Sequence, residues 1–371
     1  MIIGIDARIA QAKMAGMGYY LKNLLKGLLE IDQENQYKVL GDKILPPMKN
    51  LKMYGLRGRK KKIINFLWKT TSWPRFEKMI KGTDLGFFPN FVMPPTRLAK
   101  TVLAIPDLSY LYYPAFIESK NLNYLTKFVP PSIRKASAVI TISENTKNDI
   151  IKHFGVEPKK IFVTHLAADK VFVPQTNEVI NAARKKYGIN KPYLLFVGTF
   201  EPRKNIETLL RAFAGLTLIR KQYQLVLVGS KGWYADGIFR LINKLYLHDD
   251  VKILGYVPNS DLPAIYAGSE LFVFPSFYEG FGLPVCEAMA CGVPVLCSSA
   301  SSLPEIGDRA GVYFNPFDTE ELAGKTSDLL LDTEKRKQMR ELGLAQASKF
   351  SWHKTAKETL EVFKKVWSGE I

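Results

Sequence analysis

The segment that decides the fold is Gly255–Pro294, which reads GYVPNSDLPAIYAGSELFVFPSFYEGFGLPVCEAMACGVP. Within it, Leu271–Phe274 is a short apolar run that predicts a buried strand. The loop that follows, Pro275–Leu283, leads into a helix whose first turn suits Pro284, because a missing N–H costs nothing there. The segment therefore runs from the carboxyl end of a strand to the amino end of a helix. Open α/β sheets bind ligands at such junctions, where free backbone N–H groups can hold phosphate.

The remainder of the chain shows the same alternation of short apolar strands with amphipathic helices. Strands are predicted at Ile2–Ile5, Tyr37–Leu40, Leu85–Phe88, Thr101–Ile105, Ala138–Ile142, Ile161–Val163, Tyr193–Val197, Gln224–Val228, Val251–Leu254, Leu271–Phe274 and Val293–Cys297. Such alternation favours mostly parallel sheets covered on both faces. We therefore predict an α/β protein of two Rossmann-like domains, spanning residues 1–170 and 171–351, with a last amphipathic helix at residues 352–368.

The excess of basic over acidic residues differs between the two halves of the 371-residue chain. Residues 1–170 contain 28 basic and 13 acidic residues, an excess of 15, whereas residues 171–371 contain 24 and 22, an excess of 2. This predicts that only the first domain meets an anionic surface. No apolar run reaches the length of a membrane helix, and the N-terminus lacks a signal-peptide pattern, so we expect a cytoplasmic protein. The three cysteines, Cys286, Cys291 and Cys297, are expected to be buried core residues.

Two carboxylates mark the segment quoted above as a binding site. Glu279 lies in the glycine-containing loop, and Glu287 follows eight residues later in the helix. A carboxylate accepts two hydroxyl hydrogen bonds, which suits the diols of a sugar or a ribose. The spacing alone is weak, because a helix-dipole role for Glu287 and a solvated Glu279 would give the same pattern. The surrounding loop makes the binding hypothesis stronger.

Two further strand-to-helix junctions contain candidate phosphate-binding residues. In FVGTFEPRKNIETLL (residues 196–210), Arg203 and Lys204 lie in a turn between a strand and a helix, where they can neutralise a diphosphate; two solvated basic residues are the alternative. Gly16 and Gly18 lie between the first strand and the first helix and suit a phosphate or acceptor loop, although a plain loop is the alternative. No metal site is expected, because no DxD, HExxH or Cys/His ligand pattern occurs.

With these residues placed, the chain resembles the GT-B glycosyltransferases of family four, a large retaining group. EGFGLPVCE resembles the family's E-x7-E signature, VGTFEPRKN its donor-diphosphate turn, and GIDAR with AGMGYYLKNLL its opening strand and glycine loop. The resemblance covers nearly the whole chain. It implies two Rossmann-like domains facing a central cleft, an acceptor-binding first domain, a donor-binding second domain and a last helix that packs back on the first.

The resemblance also implies roles for single residues. Glu279 would contact the transferred sugar, Glu287 the ribose, and Asp107 would act with Glu279 at the reaction centre. The remaining residues expected at the donor are Arg203, Lys204, Gly198, Thr199, Tyr256, Val257, Gly280, Phe281, Gly282 and Leu283. Gly16 and Gly18 would face the diphosphate or the acceptor.

Two positions depart from the family pattern. Thr199 stands where many members have an arginine after the glycine of the donor turn, so Arg203 would carry more of the phosphate charge. Pro106 stands where many members have a histidine before the aspartate, while Asp107 remains. The second departure leaves open whether catalysis is altered or the histidine is dispensable in this subgroup.

The expected activity is retaining transfer of a hexose from a nucleotide-diphosphate sugar, which is a co-substrate; no cofactor is expected. GDP-mannose is the leading donor, and the acceptor would be a glycan or a lipid-diphosphate-linked glycan of surface polysaccharide synthesis. The basic segment Lys49–Lys62, with Phe66, Trp68 and Trp73 after it, favours a peripheral membrane contact, with a solvated loop as the alternative. A GT-B nucleotide-sugar epimerase stays open. Nucleic acid is not expected as a partner, because no binding motif occurs.

Overall fold

The computed structural model describes residues 1–8, 16–42, 45–46, 48–230, 232 and 235–371. The chain forms two compact units. Unit 1 comprises Met1–Leu166 together with Ser351–Ile371, and unit 2 comprises Ala167–Phe350. Each unit has its own parallel sheet.

Unit 1 contains a seven-stranded parallel sheet. Its strands are β1 (Ile2–Ala7), β2 (Gln36–Gly41), β3 (Leu51–Gly55), β4 (Leu85–Phe88), β5 (Thr101–Ile105), β6 (Ala138–Thr141) and β7 (Ile161–Val163). Their spatial order is β3-β2-β1-β4-β5-β6-β7, so the strand order reverses between β1 and β4. The helices between them are α1 (Met17–Ile31), α2 (Gly58–Thr70), α3 (Phe76–Met79), α4 (Ser109–Tyr112), α5 (Ser119–Lys135) and α6 (Glu144–Phe154).

Unit 2 contains a six-stranded parallel sheet. Its strands are β8 (Tyr193–Val197), β9 (Gln224–Val228), β10 (Val251–Gly255), β11 (Leu271–Phe274), β12 (Val295–Ser298) and β13 (Gly311–Phe314), in the order β10-β9-β8-β11-β12-β13. Its helices are α7 (Asn177–Tyr187), α8 (Ile206–Gly215), α9 (Thr217–Gln222), α10 (Ala235–Lys244), α11 (Leu262–Ala267), α12 (Leu283–Ala290), α13 (Leu303–Gly307), α14 (Thr319–Leu331) and α15 (Thr333–Ala347). Strands β8, β9 and β11 are apolar and buried along almost their whole length, as expected for a sheet covered on both faces.

The last helix, α16 (Trp352–Ser368), belongs to unit 1 and packs against α1. Ser351 caps it by accepting a hydrogen bond from the Lys354 N–H at 3.1 Å. The two helices approach closely at Gly27, where a Cβ would lie 3.0 Å from the Trp352 carbonyl oxygen. Phe363 meets the β4 residue Phe87 edge to face, with ring centroids 5.2 Å apart. The helix therefore covers part of the unit 1 core.

The prediction of two Rossmann-like domains is confirmed, and every predicted strand occurs, with its ends shifted by at most two residues. Strand β3 was not predicted. The basic segment Lys49–Lys62, for which a solvated loop was the alternative to a membrane contact, forms β3 and the start of α2. Gly18 was placed in a loop, but α1 begins at Met17 and buries Gly18; the change of direction occurs at Gly16, whose φ is 52°.

Candidate functional site

The site in unit 2 lies where its strand order reverses. Strands β8 and β11 are neighbours, and the chain continues from β8 toward β9 on one side and from β11 toward β12 on the other. The connections after β8 and β11 therefore diverge and leave a crevice at the carboxyl ends of these two strands, where doubly wound sheets bind ligands. The first connection contains Arg203 and Lys204, and the second contains Glu279.

These three residues form one ion-paired cluster. The Lys204 Nζ lies 2.5 Å from the Glu279 Oε1, and the Arg203 Nη1 lies 3.2 Å from the Glu279 Oε2. Arg203 also donates to the Tyr278 carbonyl at 2.6 Å and to the Glu201 carboxylate at 2.5 Å. Residues separated by 75 positions in sequence are thus brought together by the pairing of β8 with β11.

The ionisation of Glu279 follows from these contacts. Its burial, with 7% of the residue exposed, by itself raises the pKa of the carboxyl. The neighbouring Lys204 and Arg203 outweigh that effect and lower the pKa of Glu279 to about 2. Glu279 is therefore a buried carboxylate at neutral pH, and it compensates the charges of the buried Lys204 and the half-buried Arg203.

Three serines hold the Glu279 loop in place. Ser276 donates to the Glu279 Oε1 at 2.6 Å, and the Glu279 N–H donates to the Ser301 hydroxyl at 2.7 Å. The Ser302 hydroxyl lies 2.9 Å from the carbonyl oxygens of Glu279 and Phe281. No sequence motif indicates these serines. Two of them lie more than 20 residues from Glu279, and only the packing of the β12 connection brings them to the loop.

Asn205 holds the basic turn against the second connection. It adopts a left-handed conformation, with φ of 54°, between the short turn Pro202–Lys204 and α8. Its side-chain amide donates to the Pro275 carbonyl at 3.1 Å and to the Pro316 carbonyl at 2.8 Å. Asparagine tolerates this conformation better than most residues. The EPRKN turn is thus fixed by its last residue, a role that the sequence analysis did not assign.

Glu287 has different neighbours and the opposite behaviour. It lies buried in α12, where it accepts a hydrogen bond from the Tyr266 hydroxyl at 2.9 Å. Burial raises the pKa of Glu287 to about 8, with Asp169 adding to the rise and the Tyr266 hydrogen bond opposing it. At neutral pH Glu287 is therefore mostly protonated and offers one O–H donor and one acceptor. The two glutamates of the motif thus have different protonation states in the folded protein.

The other residues expected at the donor lie around the same edge of the sheet. Gly282 is the N-cap residue of α12, with φ of 101°, and a Cβ there would lie 2.6 Å from the Leu303 side chain. Gly280 and Phe281 are buried in the loop, and Leu283 is the first residue of α12. The structure thus keeps the backbone at this helix start close to its neighbours.

The remaining donor candidates follow other strands of the same sheet. Gly198 and the exposed Thr199 follow β8, while the exposed Tyr256 and the buried Val257 follow β10. The sequence analysis missed Gly229 after β9, where a Cβ would lie 1.8 Å from the Gly198 carbonyl oxygen. No larger residue fits there, so the carboxyl ends of β8 and β9 can approach closely.

The predicted residues of the first domain lie in unit 1. Asp107 follows β5, and its Oδ1 accepts hydrogen bonds from the N–H and the hydroxyl of Ser109, at 2.9 and 2.7 Å. Gly16 is exposed at the start of α1, whereas Gly18 is buried within it. Asp107 is thus oriented by its own turn, and Gly16 is the more accessible of the two glycines.

Groups of three or more metal-ligating side chains do not occur among the residues that the structure describes. All three cysteines are buried and unpaired by disulfides, and burial raises the pKa of Cys286 to about 12. In the described part of the chain, no helix combines the length and apolar character that a bilayer crossing requires.

Comparison with known proteins agrees with this geometry. Residues 179–346 match the family model of glycosyl transferases group 1. O-antigen chain mannosyltransferase B of Escherichia coli is 37% identical over 278 residues, which are 74% of this chain and 73% of that protein. The chain belongs to the group 1 glycosyl transferases.

A further relative and a solved structure are also similar to this group 1 glycosyl transferase. The serotype-specific mannosyltransferase WbdA of Escherichia coli is 32% identical over 71% of this chain, which spans 33% of WbdA. The solved sucrose-phosphate synthase of Thermosynechococcus elongatus superimposes with a TM-score of 0.78 at 21% identity, covering 99% of both chains. This last likeness establishes the GT-B fold. The group 1 glycosyl transferase is therefore an enzyme of the hexosyltransferase type, as the sequence motifs predicted.

Proposed function

We propose that this enzyme transfers mannose, with retention, from GDP-mannose to a glycan or a lipid-diphosphate-linked glycan in surface polysaccharide synthesis. We infer the donor site from the Arg203–Lys204–Glu279 cluster at the strand-order reversal of unit 2. Mannose is favoured because two relatives that match most of this chain are described as mannosyltransferases, both from Escherichia coli.

The cluster suits a leaving diphosphate. Arg203 and Lys204 together with Glu279 and Glu201 form two cations and two anions, so their charges balance without a ligand. A donor diphosphate would replace Glu279 as the partner of the two cations. The released carboxylate oxygens would then accept hydrogen bonds from hydroxyls of the transferred sugar. The same exchange would prepare the cations for the charge that develops on the diphosphate.

The proposed chemistry needs no protein nucleophile. The bond between the sugar C1 and the diphosphate oxygen breaks, and its electron pair passes to that oxygen. The acceptor hydroxyl attacks C1 from the same face, and its proton passes to the leaving phosphate. Arg203 and Lys204 would stabilise the leaving group, Glu287 would hold the ribose, and Asp107 would position the sugar or assist the attack. Metal-free charge stabilisation by these residues is part of the proposal.

Donor binding provides the first test. Thermal unfolding in the presence of GDP-mannose, UDP-glucose, UDP-GlcNAc and dTDP-rhamnose should show the largest rise in Tm with GDP-mannose. Lys204→Ala should weaken binding of GDP at least tenfold. Arg211→Ala is the control, because Arg211 pairs on the surface with Glu207 on α8. Equal binding of GDP by Lys204→Ala and the parent enzyme would contradict the donor site.

A second assay separates transfer from epimerisation. A transferase should release GDP in step with glycosylated product, and only when an acceptor is supplied. Conversion of the nucleotide-sugar to its epimer without an acceptor would instead support the epimerase alternative.

We also propose peripheral contact of unit 1 with an anionic membrane. Helix α2 carries Arg59 near its start and exposes Ile63 and Phe66, which are 49% and 64% exposed; Trp73, just after α2, is 65% exposed. Apolar side chains beside basic ones suit the interface of an anionic bilayer. Co-sedimentation with vesicles that contain phosphatidylglycerol should fall in Phe66→Ser/Trp73→Ser and at high salt. Leu218→Ser, which changes an exposed leucine in unit 2, is the control, and equal co-sedimentation of all variants would count against this contact.

A further inference from the structure

Arg203 is held from both of the chain connections that form the unit 2 site. Its Nη2 lies 2.5 Å from the Glu201 Oε1. Its Nη1 lies 2.6 Å from the Tyr278 carbonyl oxygen and 3.2 Å from the Glu279 Oε2. We propose that Glu201 is a positioning residue, which keeps the Arg203 guanidinium in place when a donor diphosphate displaces Glu279. This role rests on the proposed function and gives the second carboxylate of the cluster a task beyond charge balance.

Glu201 is itself fixed by the turn in which it lies. Its N–H donates to the Thr199 carbonyl at 2.9 Å, and its carbonyl accepts from the Lys204 N–H at 3.1 Å. Its side chain is 25% exposed and that of Arg203 is 18% exposed, so water screens this ion pair less than a pair on the open surface. Because the two residues lie in one turn, their contact does not depend on the Glu279 loop and can persist when Glu279 is displaced.

The two cations of the cluster differ in how they are anchored. In the part of the chain that the structure describes, Lys204 forms its ion pair with Glu279 alone. Arg203 pairs with Glu201 as well as with Glu279. A diphosphate that displaced Glu279 would therefore replace the carboxylate that Lys204 contacts, whereas Arg203 would retain one. A guanidinium presents several N–H donors in a fixed fork, so Arg203 can bind Glu201 and the diphosphate at the same time.

Positioning and charge balance predict opposite effects of removing the Glu201 charge. A carboxylate beside a diphosphate repels it, so a Glu201 that only balanced charge would weaken the binding of GDP and leave the rate of transfer unaffected. A Glu201 that positions Arg203 keeps its N–H donors aimed at the oxygen on which charge develops, without reorganisation during the reaction. Loss of positioning therefore lowers kcat, while loss of the repulsion offsets any weakening of GDP binding.

The test compares two glutamine variants of the whole protein. In Glu201→Gln, kcat for transfer from GDP-mannose should fall at least about tenfold. The Kd of GDP, measured by calorimetric titration, should rise no more than about threefold in this variant. The control Glu207→Gln removes the same charge from the surface pair with Arg211 and should change both constants less than about twofold. A kcat of Glu201→Gln that equals the control value, or a fall in kcat matched by an equal rise in Kd, would overturn the proposal.

A double-mutant cycle shows whether Glu201 acts through Arg203. In an Arg203→Ala background the group to be positioned is gone, so adding Glu201→Gln should lower kcat by less than about twofold. A further loss as large as that in the parent background would show that Glu201 acts on another group, and would refute its role in positioning Arg203. Retained binding of GDP by Glu201→Gln shows that this variant is folded.

The position of Arg203 can also be followed without turnover. Nitrogen NMR of the arginine side chains, with the Arg203 signals assigned by their absence in Arg203→Lys, reports rotation of the guanidinium. Rotation should be restricted in the parent and in Glu207→Gln, and freer in Glu201→Gln, both with and without GDP. Equal rotation in Glu201→Gln and the parent would overturn the proposal. If rotation responds to Glu201→Gln but no nucleotide-sugar is turned over, the proposed function fails while the contact of Glu201 with Arg203 stands.

Discussion

Replacement of Glu279 by glutamine tests whether this carboxylate stabilises unit 2. The pKa of Glu279 is lowered from 4.5 to about 2 in the folded protein. At 1.36 kcal/mol per pKa unit, that difference is equivalent to roughly 3 kcal/mol of stability at neutral pH. Glutamine keeps the shape of the side chain but leaves Lys204 buried without this counter-charge. Glu279→Gln should therefore lower the free energy of unfolding of unit 2 by roughly 3 kcal/mol at pH 7.

The stabilisation by Glu279 should depend on pH in a defined direction. Because the folded-state pKa lies below the unfolded-state pKa, the stabilisation is complete above about pH 4.5 and is lost as the pH falls toward 2. The difference in stability between the parent and Glu279→Gln should be constant from pH 7 to pH 5. Below about pH 4.5 it should shrink by up to ~1.4 kcal/mol per pH unit.

Urea titrations followed by hydrogen exchange in peptides from β11 would report on unit 2 alone. Glu207→Gln is a matched control, because Glu207 pairs with Arg211 on the surface and its loss should cost about 0.5 kcal/mol or less. If Glu279→Gln were as stable as Glu207→Gln at pH 7, the charge compensation inferred here would be wrong. A difference that did not shrink at acid pH would contradict the assigned ionisation. Loss of activity in Glu279→Ala would combine a folding defect with a catalytic one, so the glutamine variant gives the cleaner measurement.

Three other substitutions give independent checks. Glu287→Gln should raise stability relative to the parent by roughly 3 kcal/mol at pH 7 but hardly at pH 4, because only above about pH 4.5 must folding protonate a carboxyl that is ionised in the unfolded chain. Urea titrations at both pH values would show whether this gain depends on pH. Gly282→Ala should cost at least about 2 kcal/mol in the same assay, since φ is 101° and the new Cβ meets Leu303, and unchanged stability would refute the strain. Ser143→Ala should cost about 1 kcal/mol in unit 1, because Ser143 caps α6, whereas Ser143→Gly should cost less.

The strands could be predicted from the sequence because buried parallel strands are continuous apolar runs. Helix α2 could not, since GRKKKIINFLWKT buries only Trp68 and its first residues carry no side-chain cap. Helix α5 was missed because it contains Pro130 and Pro131, which ordinarily interrupt a helix. In α5, packing in the folded unit overrides a local sequence that does not favour a helix.

The segments that form the site could be predicted from the sequence, but the contacts between their side chains could not. The glycine loop and the EPRKN turn each indicate a strand-to-helix junction. That Lys204 binds Glu279 depends on β8 lying beside β11, and strand order leaves no local signature. The opposite pKa shifts of Glu279 and Glu287 likewise depend on whether each buried carboxyl has a cationic neighbour. Residue spacing carries no such information.

The place of α16 in the chain affects how the protein can fold during synthesis. Unit 1 needs this helix against α1, but Ala167–Phe350 must be translated between the two. At 5–20 residues per second, that delay is roughly 10–40 s. During this interval the α1 surface around Gly27 lacks its partner on the ribosome, and the whole sequence of unit 2 is synthesised before α16. The chain that is synthesised first is therefore the last to be completed as a folded unit, and unit 1 is the part of the nascent protein with the greater need for a chaperone.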